Sequence, residues 1–341
     1  MKKLAILFST IIVLMGVFVA CNNAQENKVE TENETSGAAE REENTEEVVI
    51  PRVSALNGPT AMGMVKMMAD NPDDYEFNVA TAIDEITANL VKGDLDIAAL
   101  PANVASVLYN NTQGEIQVMA INTLGVLYIV ENQEQVQSIE DLRGKTIYAT
   151  GKGATPEAVL NYILEQNGLE VGTDVTVEFK AEPAECVSML AEDSNAIAML
   201  PQPFVTVAKT QNENLRIALD LTKEWDAVQE GQNASTLLTG VVVVRREFAE
   251  ENATAVATFL EQYESSVEFV NRQVDESATL IEQFEIVKAP IAKEAIPYCN
   301  IVFIEGNQMQ ETLSGYLEVL FEQNPQFVGG ELAGDDFYYK R

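Results

Sequence analysis

The sequence predicts an α/β fold of two lobes joined by two hinge crossovers. The chain has 341 residues, more than one small core usually organises. Short apolar strands alternate with amphipathic helices, a pattern typical of sheets that are covered by helices. In addition, "DIAALPANVA" at residues 96–105 returns as "AIAMLPQPFV" at residues 196–205, so one strand and its proline corner occur twice.

The first lobe is predicted to begin near Arg52 with the strand "RVSAL". The turn-rich loop "NGPTAMG" then leads into a helix over Met62–Ala69. The strand "EFNVA" follows, and then the helix "IDEITANLVKG", which Gly93 is suited to cap. The buried strand "DIAAL" completes the unit, and Pro101 turns the chain.

The second lobe repeats this order. The strand "GKTIYAT" runs into the Gly-rich turn "GKGATPE", where Pro156 is tolerated in the first turn of a helix. The helix "EAVLNYILEQNG", the strand "VTVEF", the helix "PAECVSMLAED" and the strand "AIAML" follow, and Pro201 turns the chain. Because the strands are apolar throughout, we expect each lobe to hold a parallel sheet covered on both faces.

Two segments are predicted to connect the lobes. "VMAINTLGVLYIV" leads out of the first lobe and "LLTGVVVVRREF" leads out of the second. Hinges are therefore expected near Asn122–Gly125 and Thr236–Gly240, and two such crossings allow hinge bending with intact cores. The remaining chain is mainly helical, with one long amphipathic helix predicted over Glu247–Asn271 and another over "MQETLSGYLEVLFEQN".

The N-terminus has the pattern of an export signal with a lipid anchor. Two lysines precede an apolar run, Leu4–Ala20, and Cys21 follows it. The run "FVAC" resembles the lipobox of bacterial lipoproteins, in which the cysteine becomes the lipidated first residue. The alternative is a permanent transmembrane helix, but a run of 17 residues is shorter than the roughly 18–20 that span a bilayer. The predicted segments are a signal peptide (1–20), a lipidated cysteine with a disordered acidic tether (21–50), lobe 1 (51–123 with 240–341) and lobe 2 (124–239).

The composition excludes several function classes. The chain carries 54 acidic against 21 basic residues, a formal charge of −33, which repels nucleic acid and anionic membrane surfaces. It contains no histidine, which excludes histidine-based triads, histidine-ligated zinc or copper, and a histidine general base. Cys21, Cys186 and Cys299 are too scattered for a cysteine-only metal site. We expect no metal and no cofactor, and we expect Cys186 and Cys299 to be separate thiols, with a disulfide as the alternative.

Four loops are expected to line a cleft between the lobes. Ligands of such sheets bind beyond the carboxyl ends of the strands, where "NGPTAMG" and "LPANVA" of one lobe would face "GKGATP" and "LPQPFV" of the other. A single Leu-Pro corner is more often a packing turn, but four turns at matched positions favour a cleft. The loops "NGPTAMG" and "GKGATP" each open a helix, so they can present free amides to an anionic or polar group.

Several side chains in these loops are suited to bind a solute. Asn57, Thr60 and Thr155 are placed to add hydrogen bonds, and Lys152 fits either a ligand contact or a solvated loop. Asn103 and Gln202 follow the two corners, and Met62 is the methionine expected to reach the cleft. Trp225, the only tryptophan, lies in a polar connector and is expected either to cover the solute or to pack. The predicted ligand-binding residues are Asn57, Gly58, Pro59, Thr60, Ala61, Met62, Pro101, Ala102, Asn103, Asn122, Thr123, Lys152, Gly153, Ala154, Thr155, Pro201, Gln202, Pro203, Trp225 and Thr239.

The motifs "ALNGPTAMGMVKMM", "DIAALPANVASVLYN", "DLRGKTIYATGKGATPE", "LPQPFVT" and "NPQFVGGELAGDDFYY" together resemble a known family. They are similar to the substrate-binding lipoproteins of ABC importers, in the nitrate, sulfonate, taurine and thiamine-pyrimidine-precursor group, over about residues 50–341. The resemblance implies a two-lobed, type II periplasmic-binding-protein-like clamp that closes on a small solute and docks on an ABC permease. It also implies an extracytoplasmic protein that is lipid-anchored to the bacterial cell membrane, and we expect a monomer.

The expected solute is small and mostly apolar or aromatic, with one anionic or strongly polar group, as in a sulfonate or a pyrimidine. Two other classes compete with a transport role. An enzyme of the same fold, similar to those of the menaquinone pathway or to a pyrimidine-forming enzyme, is disfavoured by the export signal and by the lack of a histidine base. The other alternative is a surface scaffold or adhesin without a small ligand.

Overall fold

The computed structural model describes residues 49–229 and 235–341, which form two β-sheets with helices packed against them. The predicted signal peptide, Cys21 and all but the last two residues of the predicted tether lie outside the described residues. All described residues belong to one compact unit, Val48–Arg341. No helix within this described part of the chain is long and apolar enough to cross a membrane.

The strands fall into a six-stranded sheet of order β11-β4-β10-β3-β1-β2 and a five-stranded sheet of order β7-β6-β8-β5-β9. Their bounds are β1 (Arg52–Leu56), β2 (Glu76–Ala80), β3 (Ile97–Pro101), β4 (Ile116–Leu124), β5 (Leu127–Glu131), β6 (Thr146–Ala149), β7 (Thr176–Phe179), β8 (Ile197–Pro201), β9 (Arg216–Asp220), β10 (Leu238–Arg245) and β11 (Ile301–Ile304).

The helices connect the parallel strands and cover the sheets. They are α1 (Pro59–Met62), α2 (Val65–Asp70), α3 (Ile83–Lys92), α4 (Ala102–Asn111), α5 (Thr155–Gln166), α6 (Pro183–Glu192), α7 (Phe204–Gln211), α8 (Leu221–Val228), α9 (Arg246–Glu251), α10 (Ala253–Arg272), α11 (Val274–Gln283), α12 (Ala289–Ala295) and α13 (Gly306–Gln323).

The repeated wiring predicted from the sequence is present in both sheets. β1 pairs in parallel with β2 and β3, and β6 pairs in parallel with β7 and β8. Pro101 and Pro201 end β3 and β8, so the recurring Leu-Pro corner marks equivalent carboxyl ends of two parallel strands. The two-sheet α/β fold is thereby confirmed.

The sheets are mixed, however, and not wholly parallel as predicted. β10 runs antiparallel to β3 and β4, and β5 runs antiparallel to β8 and β9. β5 is buried along its whole length, and β10 is buried along most of it. A buried strand has an apolar sequence in either direction, so its direction could not be read from composition.

The two crossings between the sheets lie side by side. The chain passes from β4 to β5 through Gly125 and Val126, and it returns between β9 and β10. Leu238 is opposite Leu124, and the Thr239 hydroxyl donates to the Leu124 carbonyl oxygen at 2.8 Å. A Cβ at Gly125 would collide with the Thr222 hydroxyl, so this connection requires glycine.

Two predicted helices were wrong in their extent. The helix predicted over Met62–Ala69 is divided into α1 and α2, and α1 already begins at Pro59. The single helix predicted over Glu247–Asn271 is broken at Asn252, which ends α9 and begins α10 with non-helical dihedral angles. Asparagine favours helix ends because its side chain competes for backbone hydrogen bonds.

One apolar core extends from one sheet to the other. Its fully buried members include Leu100 of β3, Met199 of β8 and Trp225 of α8. Cys186 and Cys299 are both buried and free, so the prediction of separate thiols is confirmed. Burial raises the pKa of the Cys186 thiol to about 11, which keeps it protonated at neutral pH.

Candidate functional site

The candidate site lies where the carboxyl edges of the two sheets meet. Asn103 in the first turn of α4 links them, because its amide nitrogen donates to the Gly153 carbonyl oxygen at 3.3 Å. Its amide oxygen accepts a hydrogen bond of 3.2 Å from the Thr155 hydroxyl at the start of α5. Asn103 also donates to the Phe327 carbonyl oxygen at 3.1 Å, and it is fully buried. Three predicted site residues from two separate loops are therefore in direct contact.

A second polar group lies at the ends of β4 and β10. The Thr123 hydroxyl donates to the amide oxygen of Asn122 at 3.0 Å, which fixes the orientation of that amide. Gly240 is opposite Thr123 on the neighbouring strand. A Cβ at Gly240 would lie 2.5 Å from Asn122 Oδ1 and 2.8 Å from Thr60 Cγ2, so the Asn122 and Thr60 side chains occupy the space above this glycine.

The amide nitrogen of Asn122 has no hydrogen-bond partner among the described residues, although it is fully buried. The same holds for the hydroxyl of Tyr263 on α10. Burial raises the pKa of the Tyr263 hydroxyl, and a side-chain hydrogen-bonding interaction with the neighbouring Asn122 lowers that pKa in part. Tyr263 was missed by the sequence analysis, because it lies on the apolar face of a helix and gave no signal beyond that of a core residue.

The N-termini of α1 and α5 do not present free backbone amides as predicted. The Gly153 amide donates to the Glu157 carboxylate at 2.6 Å, so the chain itself supplies an anion at the start of α5. The amides of Ala61 and Met62 donate to the Gly58 carbonyl oxygen at 3.1 and 3.0 Å. Lys152 is exposed, which fits a solvated loop. The first turns of α1 and α5 therefore offer fewer unbonded backbone amides to a ligand than the sequence predicted.

The Gln202 side chain makes its contact close to its own element, whereas the Thr239 hydroxyl bonds to Leu124 at the end of β4. Gln202 is buried, and its side-chain oxygen accepts a hydrogen bond of 2.9 Å from the Thr206 hydroxyl on α7. Its backbone amide donates to the Val126 carbonyl oxygen beside the first crossing. The equivalent corners thus differ, because Asn103 reaches across to the other sheet and Gln202 does not.

Trp225 lies on α8 and is fully buried, not in a polar connector as predicted. Its ring centroid is 4.7 Å from that of Tyr162 on α5 and 5.6 Å from that of Tyr316 on α13. Its indole N–H donates to the Ser235 carbonyl oxygen at 3.1 Å. Met62, expected to reach the cleft, is fully buried in the apolar core of the six-stranded sheet.

The remaining predicted residues lie on the same two edges. Asn57 follows β1 and its amide donates to the Ala80 carbonyl oxygen at 2.8 Å. The others occupy the end of a strand or the first turn or capping position of a helix: Gly58, Pro59 and Ala61 at α1, Pro101 and Ala102 at α4, Ala154 at α5, and Pro201 and Pro203 before α7.

Comparison with known proteins places the chain in a family. A family model described as the periplasmic substrate-binding protein of a phosphonate ABC transporter matches residues 67–293. Curated binding proteins of Brucella abortus and Brucella suis are 24% identical over 221 residues, which is 62% of this chain. The match covers 66% of the length of those relatives, just under two thirds.

Solved structures show the same fold. An ABC transporter protein from Parabacteroides distasonis is 23% identical, with a TM-score of 0.71 over 86% of this chain and 99% of that one. The periplasmic aliphatic sulphonate-binding protein SsuA of Escherichia coli is 14% identical, with a TM-score of 0.67 over 85% of this chain and 92% of that one. The alkanesulfonate-binding protein SsuA of Xanthomonas axonopodis, bound to MOPS, is 14% identical, with a TM-score of 0.63 over 80% and 92%.

Proposed function

The chain belongs to the ABC-transporter family of periplasmic phosphonate substrate-binding proteins, and from this premise we propose that it captures a small organic solute outside the cytoplasm and delivers it to an ABC permease. The proposal includes attachment to the cell membrane through a lipid on Cys21, a monomeric state and no catalysis. Residues 51–123 and 240–341 would form one lobe of the clamp, and residues 124–239 would form the other.

The observation that carries the proposal is the contact of Asn103 with Gly153 and Thr155. It joins the loop after a parallel strand of one sheet to the loop after a parallel strand of the other. Ligands of open α/β sheets bind at such carboxyl ends. A solute held there would touch both proposed lobes at once, which is what a clamp requires.

The solute class follows from the side chains at this junction. Amides and hydroxyls dominate, with Asn122, Thr123 and Thr155 buried and Thr60 partly buried. Two buried tyrosines neighbour these residues: Tyr263 on α10 interacts with Asn122, and Tyr316 on α13 interacts with Thr155. Such a lining suits a mostly apolar or aromatic solute with one polar or anionic group, of the sulfonate-like or pyrimidine-like kind.

Closure of the clamp is expected to bring Trp225 and Tyr316 together. Trp225 belongs to the proposed lobe 2 and Tyr316 to the proposed lobe 1, and they are in contact in the arrangement described above. Opening at the two side-by-side crossings would separate the rings and expose the indole.

We therefore expect small-angle X-ray scattering to give a smaller radius of gyration when a binding solute is added, with a blue shift of the tryptophan emission. Because the chain has a single tryptophan, the emission reports the surroundings of Trp225 alone. The control is a solute that calorimetry shows not to bind, which should change neither signal. An unchanged scattering profile and an unchanged emission at saturation would contradict a closing clamp.

A further inference from the structure

We propose that Asn57 is a site of spontaneous deamidation, and that the fold directs this reaction to Asn57 while it protects the second Asn-Gly pair of the chain. The two pairs in the sequence are Asn57-Gly58, in the loop after β1, and Asn167-Gly168, after α5. The modification converts the Asn57 side-chain amide into a carboxylate. Its only co-reactant is water, and its chemistry does not depend on the proposed function.

The reaction is a cyclisation followed by hydrolysis. The backbone nitrogen of Gly58 attacks the side-chain carbonyl carbon of Asn57, and a new C–N bond closes a five-membered succinimide ring. The bond from that carbon to the side-chain nitrogen breaks, and ammonia leaves with the proton lost by the Gly58 nitrogen. Water then opens the ring at either carbonyl, which gives aspartate or isoaspartate without a change of oxidation state. Glycine favours ring closure because it has no side chain to obstruct it.

The first observation is that the two reacting groups are not held by other groups. The Gly58 amide nitrogen and the Asn57 side-chain amide make no hydrogen bond within residues 49–229 and 235–341. The Asn57 backbone is nevertheless fixed, because its own amide donates to the Ala80 carbonyl oxygen at 2.8 Å. The nucleophile and the carbon it attacks are therefore available in the folded protein.

The second observation concerns space. Asn57 is half-buried, so water reaches this residue. Gly58 is buried, yet a Cβ on it would meet no atom within 4 Å, so open space adjoins the peptide that forms the ring. Its φ of 130° is a conformation that other residues rarely adopt, so the fold itself favours a glycine at this reactive position.

Asn167-Gly168 has the same chemistry, but its groups are bonded. The Asn167 side-chain nitrogen donates to the Ile163 carbonyl oxygen at 2.8 Å, and the Gly168 amide donates to the Glu165 carbonyl oxygen at 3.0 Å. Asn167 is also half-buried and Gly168 is exposed, so exposure alone would favour reaction at this second pair. The hydrogen bonds must break before the ring can close, which raises the barrier.

The product alters a loop of the candidate site. Aspartate adds a negative charge between β1 and α1, in a chain whose formal charge is already −33. Isoaspartate also lengthens the backbone by one carbon just before Gly58, whose carbonyl oxygen accepts from the amides of Ala61 and Met62. The consequence for solute capture rests on the proposed function, since the added charge would oppose binding of an anionic group.

The experiment is peptide mass spectrometry of the full chain after incubation in warm, mildly alkaline buffer, with and without guanidinium chloride. Deamidation is scored as the mass gain of an amide-to-acid exchange, and fragmentation identifies isoaspartate. In the folded protein we expect Asn57 to react about tenfold faster than Asn167, the factor expected when two hydrogen bonds must first break. In denaturant the two rates should be similar, because both pairs are Asn-Gly.

Asn57→Gln is the matched variant, because the longer side chain closes a six-membered ring far more slowly. It should abolish the modification at this position and leave the slow reaction at Asn167 unchanged. Equal rates at the two pairs of the folded protein, a slower rate at Asn57, or a preference for Asn57 that persists in denaturant would overturn the inference. None of these outcomes depends on solute binding, so the proposed function is tested separately.

Discussion

Replacing Gly240 by alanine is expected to lower solute affinity about tenfold or more while the protein remains folded. The new methyl group would lie 2.5 Å from Asn122 Oδ1 and 2.8 Å from Thr60 Cγ2, closer than real contacts allow. Both neighbours are the ends of side chains, so they can move aside, and overpacking of this kind costs roughly 1–3 kcal/mol. Asn122 would then turn away from its hydrogen bond with Thr123, and the shape of the edge formed by β4 and β10 would change.

The measurement is the dissociation constant by calorimetry, together with the melting temperature. Gly315→Ala on α13 is the matched control, because its Cβ would lie 3.9 Å from Ser235 Cβ, an ordinary contact. We expect that variant to keep its affinity and to gain roughly 0.5–1 kcal/mol of stability from the removal of a helical glycine. If Gly240→Ala binds as tightly as the wild type, the edge formed by β4 and β10 does not hold the solute.

Cys21→Ser is expected to release the protein from the membrane. Cys21 follows the apolar run at the N-terminus and lies outside the described residues. Acyl chains contribute about 0.8 kcal/mol per buried CH₂, and two signals are enough for stable anchoring, so the loss of the lipidated residue should be close to all-or-none. Cys186 and Cys299 are fully buried and offer no exposed replacement thiol.

Membrane fractionation and the mass of the mature protein test this expectation. Asn22→Ala, one position further along, is the matched control and should remain membrane-bound with the wild-type mass apart from the substitution. A Cys21→Ser protein that stays in the membrane fraction, at the mature mass of the wild type, would contradict lipid attachment through this residue.

Much of the fold could be predicted because the chain repeats itself. The segments ending at Pro101 and Pro201 are short, apolar and bounded by turns, and both became strands at the predicted positions. The antiparallel direction of β5 and β10 could not be predicted, since buried strands are apolar in either direction. The break at Asn252 was missed because the apolar period of the helix continues through it.

The candidate site was predictable only where its residues follow a strand. Asn103 and Thr155 were identified from their position after β3 and β6, and the structure brings them within 3.2 Å of each other. Tyr263 comes from α10, far along the chain, and its hydroxyl packs against Gly63 between α1 and α2. Only packing in three dimensions relates it to Asn122. Trp225 was assigned to a polar connector because the residues around it are charged, yet α8 turns its indole into the core.

The central claim is that the joined carboxyl edges of the two sheets hold a solute. The most direct test is calorimetric titration of the wild type, Thr155→Val and Thr176→Val with pyrimidines, alkanesulfonates and alkylphosphonates. Thr155 is buried at the junction, whereas Thr176 is exposed at the amino end of β7. We expect a solute to bind the wild type at one to one and to be recovered chemically unchanged. Thr155→Val should weaken that binding by about 1 kcal/mol or more, the size of a lost hydrogen bond, and Thr176→Val should not change it. Tight binding that both variants retain in full, or conversion of the solute, would contradict the account.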